Sequence, residues 1–189
     1  MERLFLGFAP SPSQLETLTH LQRELVSSLN SAAKAVHQDN FHLTLAFLGM
    51  VSQEQKESLI KSIDEIAKPR FSVQLDSIAE WPRAQVCCLK GENVCANLAQ
   101  LAKDTKQLAQ QLTLHISEHG FRPHISLFRK AKSFTVNEPS DELLELPLSR
   151  FNGAPFKELV IAPTALHLYL SSSTDKGVEY KVLHSWDLS

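Results

Sequence analysis

A chain of 189 residues, 43% of them hydrophobic, can bury a substantial core and suits one domain over residues 1–189, built as a single unit or as two lobes sharing one core. A net charge of -2 gives no global field for long polyanions, so any nucleic-acid contact should be local and small. Cys87, Cys88 and Cys95 are odd in number and form no C-x-x-C, which argues against structural zinc and a disulfide framework and points to a reducing compartment.

Residues 3–8 read as a buried strand. The apolar run around it is too short for a signal or membrane segment, so the cytoplasm is the expected location and no membrane contact is expected. Ser11-Pro12 reads as an N-cap with proline at the first helical position, and leucines follow at helical spacing to Leu29. After a turn at residues 38–40, residues 41–49 form a strand. Ser52 and Gln55 predict a capping box, and Leu59, Ile60, Ile63 and Ile66 make a helical stripe that stops before Pro69. Residues 71–78 and 84–89 read as strands, and a long amphipathic helix carries Val94, Leu98, Leu101, Leu108 and Leu112. Residues 121–129 form another strand. Residues 131–150 read as a polar loop, and three closing strands follow at 156–162, 165–171 and 178–186, the last two joined across 171–177.

Two of these strands carry the same pattern, His-x-Thr/Ser. The first copy is His42-Leu43-Thr44; the second, 82 positions later, is His124-Ile125-Ser126. Alternation along a strand puts each histidine and its hydroxyl on one face. Two such pairs facing one cleft would supply a general acid, a general base and donors for an anion, which is what metal-free phosphodiester chemistry requires. Large apolar residues flank both copies, so each imidazole should be partly desolvated and its pKa perturbed. The other histidines carry less signal; His167 shares a face with Tyr169 and is a candidate pocket residue. Threonine at position 44 is also a good strand former, whereas Ser126 is not, which favours a hydrogen-bonding role there.

Rival chemistries fit less well. No third Cys, His or carboxylate stands at ligand spacing near either motif, so no metal or cofactor is expected. No G-x-S-x-G elbow and no phosphate-binding glycine loop is present. Arg129 lies three residues after Ser126. An ideal strand would turn it away; a strand end or a bulge would bring its guanidinium round to a phosphate. Lys130 and Lys132 could add positive potential at the same rim.

The paired motifs resemble the two-histidine phosphoesterase superfamily. FHLTLAFLG (41–49) with FRPHISLFR (121–129) is similar to its branch of bacterial RNA 2',3'-cyclic phosphodiesterases, also called 2'-5' RNA ligases. Arg3-Leu4-Phe5 and YKVLHSW (180–186) extend the likeness over almost the whole chain. Ser126 stands where threonine is commoner. Leu6-Gly7-Phe8 is less bulky than the family norm, which should alter the pocket wall. The resemblance implies an α+β fold of two pseudo-symmetric lobes, each an antiparallel sheet with outer helices, around a central cleft. It implies His42 and His124 as the acid–base pair, with Thr44, Ser126 and Arg129 as phosphate ligands. His124 is expected as base and His42 as acid, on RNA ends or nucleotides bearing a 2',3'-cyclic phosphate, in a monomer. Relatives acting on ADP-ribose cyclic phosphate or 2'-5' oligoadenylate, or a non-catalytic RNA-end binding module, are the alternatives.

Overall fold

A computed structural model describes residues 1–132, 144–148, 158–175 and 177–189. The elements in chain order are β1 (Glu2–Phe8), α1 (Pro12–Leu25), β2 (Lys34–Ala35), β3 (Leu43–Val51), α2 (Gln53–Glu65), β4 (Val73–Leu75) and β5 (Ser77–Trp81). They continue with β6 (Val86–Lys90), α3 (Ala96–Gln111), β7 (His124–Arg129), β8 (Leu144–Pro147), β9 (Leu159–Ile161), β10 (Ala165–Thr174) and β11 (Gly177–Asp187). The fold is α+β with antiparallel pairing at every described ladder.

Local chemistry starts the helices where the sequence predicts. The Gln14 amide donates to Ser11 Oγ while the Ser11 amide donates to Gln14 Oε1, and Pro12 occupies the first helical position. Ser52 and Gln55 close the same reciprocal box at α2. The apolar stripes then face the sheet. Leu18, Leu21 and Leu25 of α1, Leu59 and Ile63 of α2, and Leu98 and Leu101 of α3 are fully buried against Leu4, Leu6, Phe8, Leu43 and Ile125.

The main sheet runs β11-β10-β1-β3-β7-β6-β5-β8, with β2 added beside β7. Its centre is narrow: β3 and β7 pair only at Leu43 and Ile125. Along that path four strands lie on each side of the junction, and β2 makes a fifth on the β7 side. Both junction residues are wholly buried, and truncating either to alanine should cost roughly 2–5 kcal/mol.

Three expectations need adjustment. The run 71–78 divides at Asp76 between two sheets, β4 pairing with β9 and β5 with β6. The Asp76 amide donates to Lys90 O and its carbonyl accepts from the Leu148 amide, which ties the break in place. The span 131–150, read as loop, contains β8, because Leu144–Pro147 pairs with β5; its other residues from 133 to 143 and 149 to 150 lie outside the described set. The β10–β11 ladder runs to Thr174 and Gly177, farther than the strands read from sequence. Among the described residues no helix is long and apolar enough to cross a membrane. Cys87, Cys88 and Cys95 are free thiols; burial pushes Cys88 up to about 12 and Cys87 up as well.

Candidate active site

The junction places the two motifs around a single point. Leu43 and Ile125 face the helices, so alternation turns His42, Thr44, His124 and Ser126 to the opposite face. The strands are antiparallel, so each histidine stands across from the hydroxyl of the other motif. The same device fixes both rings. His42 Nδ1 lies 2.7 Å from the Asn40 carbonyl oxygen, and His124 Nδ1 lies 2.8 Å from the Arg122 carbonyl oxygen. A carbonyl only accepts, so Nδ1 carries the proton in each ring and Nε2 is left as the basic nitrogen.

Burial lowers the pKa of both imidazoles. His42 falls to about 4; desolvation dominates, the bond to Asn40 opposes it, and the charges of His124 and Arg129 lower it further. His124 is lowered by desolvation against the bond to Arg122. Burial thus favours the neutral form of both rings in the free protein.

A bulge settles the direction of Arg129. Ser126 pairs with Cys88 but Phe128 pairs with Cys87, so Leu127 is an extra residue in β7. Leu127 and Phe128 are consecutive yet both buried, and the phase shift returns Arg129 to the face of Ser126. The Leu127 carbonyl accepts from the Val36 amide at 2.9 Å and from Gln22 Nε2 at 2.7 Å, so the bulge leaves that oxygen satisfied. β3 repeats the device: Thr44 pairs with Gly7 and Ala46 with Leu6, leaving Leu45 extra and bringing Phe47 to the face of Thr44. Gly7 belongs to this close approach, since a Cβ there would meet Leu43 O at 2.7 Å. Gly7 does not line the cleft, so its role is in the backbone rather than in the pocket wall expected from sequence.

The cleft joins His42, Thr44 and Arg129 with Arg3, Phe5, Phe47, Ser171 and Tyr180. Arg129 Nη2 donates to the Tyr180 hydroxyl at 3.1 Å. The His42 ring packs against Phe5 at 4.6 Å and edge-on to Tyr180 at 4.9 Å, with Tyr169 stacked on Phe5 behind them. His124 and Ser126 do not line this cavity; they stand across the junction, where Trp81 packs edge-on to His124 at 4.4 Å. His167 also lies off the cleft wall, its Nδ1 2.8 Å from Ser185 Oγ. Among the described residues no three His, Cys, Asp or Glu side chains gather as metal ligands.

Several contributors escaped the sequence reading. Asn40 anchors His42 through its carbonyl and, through Nδ2, donates to Val178 O in β11. Tyr180 reaches Arg129 only because the β10–β11 hairpin brings it there. Gln22 had one available signal, a polar residue bordering the apolar stripe of α1.

Residues 8–88 match the model of the LigT like Phosphoesterase family. The RNA 2',3'-cyclic phosphodiesterase of Escherichia coli is 33% identical over 158 residues, covering 84% of this chain and 81% of that protein. The enzyme of the same name from Aquifex aeolicus is 30% identical over 145 residues, covering 72% of this chain and 76% of that protein. The crystal structure of E. coli LigT complexed with 3'-AMP covers 100% of this chain and 98% of its own, with a TM-score of 0.80 at 30% identity. The family match encloses the first motif, the curated relatives extend over most of the chain, and the structural likeness spans both motifs: this chain belongs to the LigT-like phosphoesterase family.

Proposed function

We propose that the chain is an RNA 2',3'-cyclic phosphodiesterase that opens the cyclic phosphate to a 2'-phosphate by metal-independent acid–base catalysis, with His42 and His124 as the acting pair. The observation that carries this is the shared frame of two imidazoles, each with Nδ1 held by a carbonyl two residues earlier, around the Leu43–Ile125 pair. Relatives named RNA 2',3'-cyclic phosphodiesterase support it, as does a LigT solved with 3'-AMP and with phosphate.

His124 Nε2 takes a proton from water as the oxygen attacks phosphorus. The P–O3' bond breaks, and His42 gives its proton to the departing O3'. In-line displacement needs the two groups on opposite sides of phosphorus. The Thr44 and Ser126 hydroxyls and the Arg129 guanidinium hold the oxygens on which charge grows. A free His42 is neutral near pH 7, so it must gain its proton with the substrate. The phosphate anion favours that gain by offsetting the charge of Arg129. With a 5'-hydroxyl in place of water, His124 takes its proton as O5' attacks phosphorus, the P–O3' bond breaks and His42 protonates O3', leaving a 2'-5' linkage. Cleavage of that linkage runs the step in reverse with the two groups in exchanged roles. On this reading residues 1–189 act as one domain of two pseudo-symmetric lobes, working as a cytoplasmic monomer.

Phosphorus NMR of the product from 2',3'-cyclic AMP tests the proposal. A single 2'-phosphate product is expected. A dominant 3'-phosphate, or an equal mixture, would reverse the assigned orientation, and no turnover would sink the function.

A further inference from the structure

The cleft continues beyond the groups that serve the cyclic phosphate. Leu4 pairs with Leu170, which sets Arg3 beside Ser171, and Ser171 pairs with Tyr180. Arg3, Ser171 and Tyr180 therefore form one row across β1, β10 and β11, and all three line the cavity. The row ends at Arg129, which donates to the Tyr180 hydroxyl. That hydroxyl, used as an acceptor there, keeps its own proton to donate.

Charge balance sets the row apart. A cyclic phosphate diester carries one negative charge, and Arg129 alone matches it. The cavity wall contains a second guanidinium, Arg3, and no carboxylate. Arg3 makes no ion pair among the described residues. Its guanidinium lies 5.1 Å from the centre of the Phe47 ring, an arrangement that steadies the group while leaving its N–H edge open to an acceptor. Two like charges in one cavity without a counterion favour a ligand with more than one anionic group.

We propose that Arg3, Ser171 and Tyr180 form a second anion subsite, which takes another phosphate of the same substrate. This rests on the function proposed above. The favoured substrate is then a terminal nucleotide whose 2',3'-cyclic phosphate is accompanied by a phosphate on the 5' side, either a monoester or the diester to a preceding nucleotide.

The test compares kcat/KM on 2',3'-cyclic AMP, on its 5'-phosphorylated form, and on a diadenosine dinucleotide ending in a 2',3'-cyclic phosphate. The enzymes are the wild type, Arg3→Ala, Arg3→Lys and Ser171→Ala. The wild type should prefer at least one of the doubly phosphorylated substrates by about tenfold, the scale of a hydrogen bond to a charged group. Which one it prefers identifies monoester or diester as the ligand. Arg3→Ala should collapse that ratio towards one, mainly through KM, Arg3→Lys should keep part of it, and Ser171→Ala should lower it less. A wild type without preference, or a ratio unchanged in Arg3→Ala, overturns the subsite while leaving the phosphodiesterase reading intact. No turnover of any of the three substrates by folded wild type overturns both.

Discussion

The two histidines share a backbone frame and differ in company. His42 is enclosed by Phe5, Tyr169 and Tyr180, with Arg129 close enough for its charge to act on the ring. His124 has Trp81 on one side and, as its cross-strand partner, Lys90, whose ammonium is occupied by Glu92 and Glu145. The carbonyl anchors, the motif spacing and the bulges after each hydroxyl recur on both sides. Position three after the hydroxyl then diverges, phenylalanine at 47 and arginine at 129. Backbone repetition supplies the geometry of the pair, and local side chains assign each half its own electrostatics.

The largest expected effect tests whether both halves are needed. His42→Ala and His124→Ala should each lower turnover of 2',3'-cyclic AMP by roughly a hundredfold or more, with circular dichroism unchanged. The double variant should be little worse than either, because the pair acts as a unit. Near-normal turnover in either folded single variant would break the equivalence. Next come the hydroxyls. Thr44→Val keeps the shape and deletes the donor, so it should slow turnover roughly ten- to a hundredfold, whereas Ser126→Thr keeps a hydroxyl and should be nearly silent. A silent Thr44→Val would reduce that residue to a strand former.

Stability against pH sharpens the contrast. The unfolded His42 titrates near 6.5 and the folded one near 4, so between those values the unfolded chain binds more protons. Stability should therefore be full above about 6.5 and fall as pH drops towards 4. His124 acts in the same direction. Urea midpoints at pH 7 and pH 5 should differ, and His42→Ala should flatten the difference more than His124→Ala. The reverse ranking would show that the aromatic enclosure is not what sets His42 apart. The smallest effect is expected from chelation: excess EDTA should leave turnover unchanged, and a loss restored by zinc or manganese would return both histidines to a ligand role.

Much of this was legible because it depends on local period and chemistry. Ser11 with Gln14 and Ser52 with Gln55 announce two helices, and alternation around His42 and His124 announces two strands with a common functional face. Residue spacing alone could not decide Arg129, since its direction turns on the pairing of β7 with β6. The Asp76 break and β8 were hidden for the same reason: strand partners far apart in the chain determine them. Tyr180 belongs to the site only through the reach of an outer hairpin, and Asn40 through its carbonyl, which any residue type possesses.

The extra residue at Leu127 has a consequence for how the protein tolerates change. Arg129 is aimed by the bulge, not by which side chains stand at 127 and 128. Substitutions at 127 and 128 should therefore register as losses of packing, since both side chains are buried. Removing Leu127 would restore plain alternation and leave the arginine paired with Val86 on the face of Ser126; what would be lost is the Leu127 carbonyl that accepts from Val36 and Gln22. The bulge lets an arginine three residues beyond the hydroxyl do what plain alternation would give one two residues beyond it.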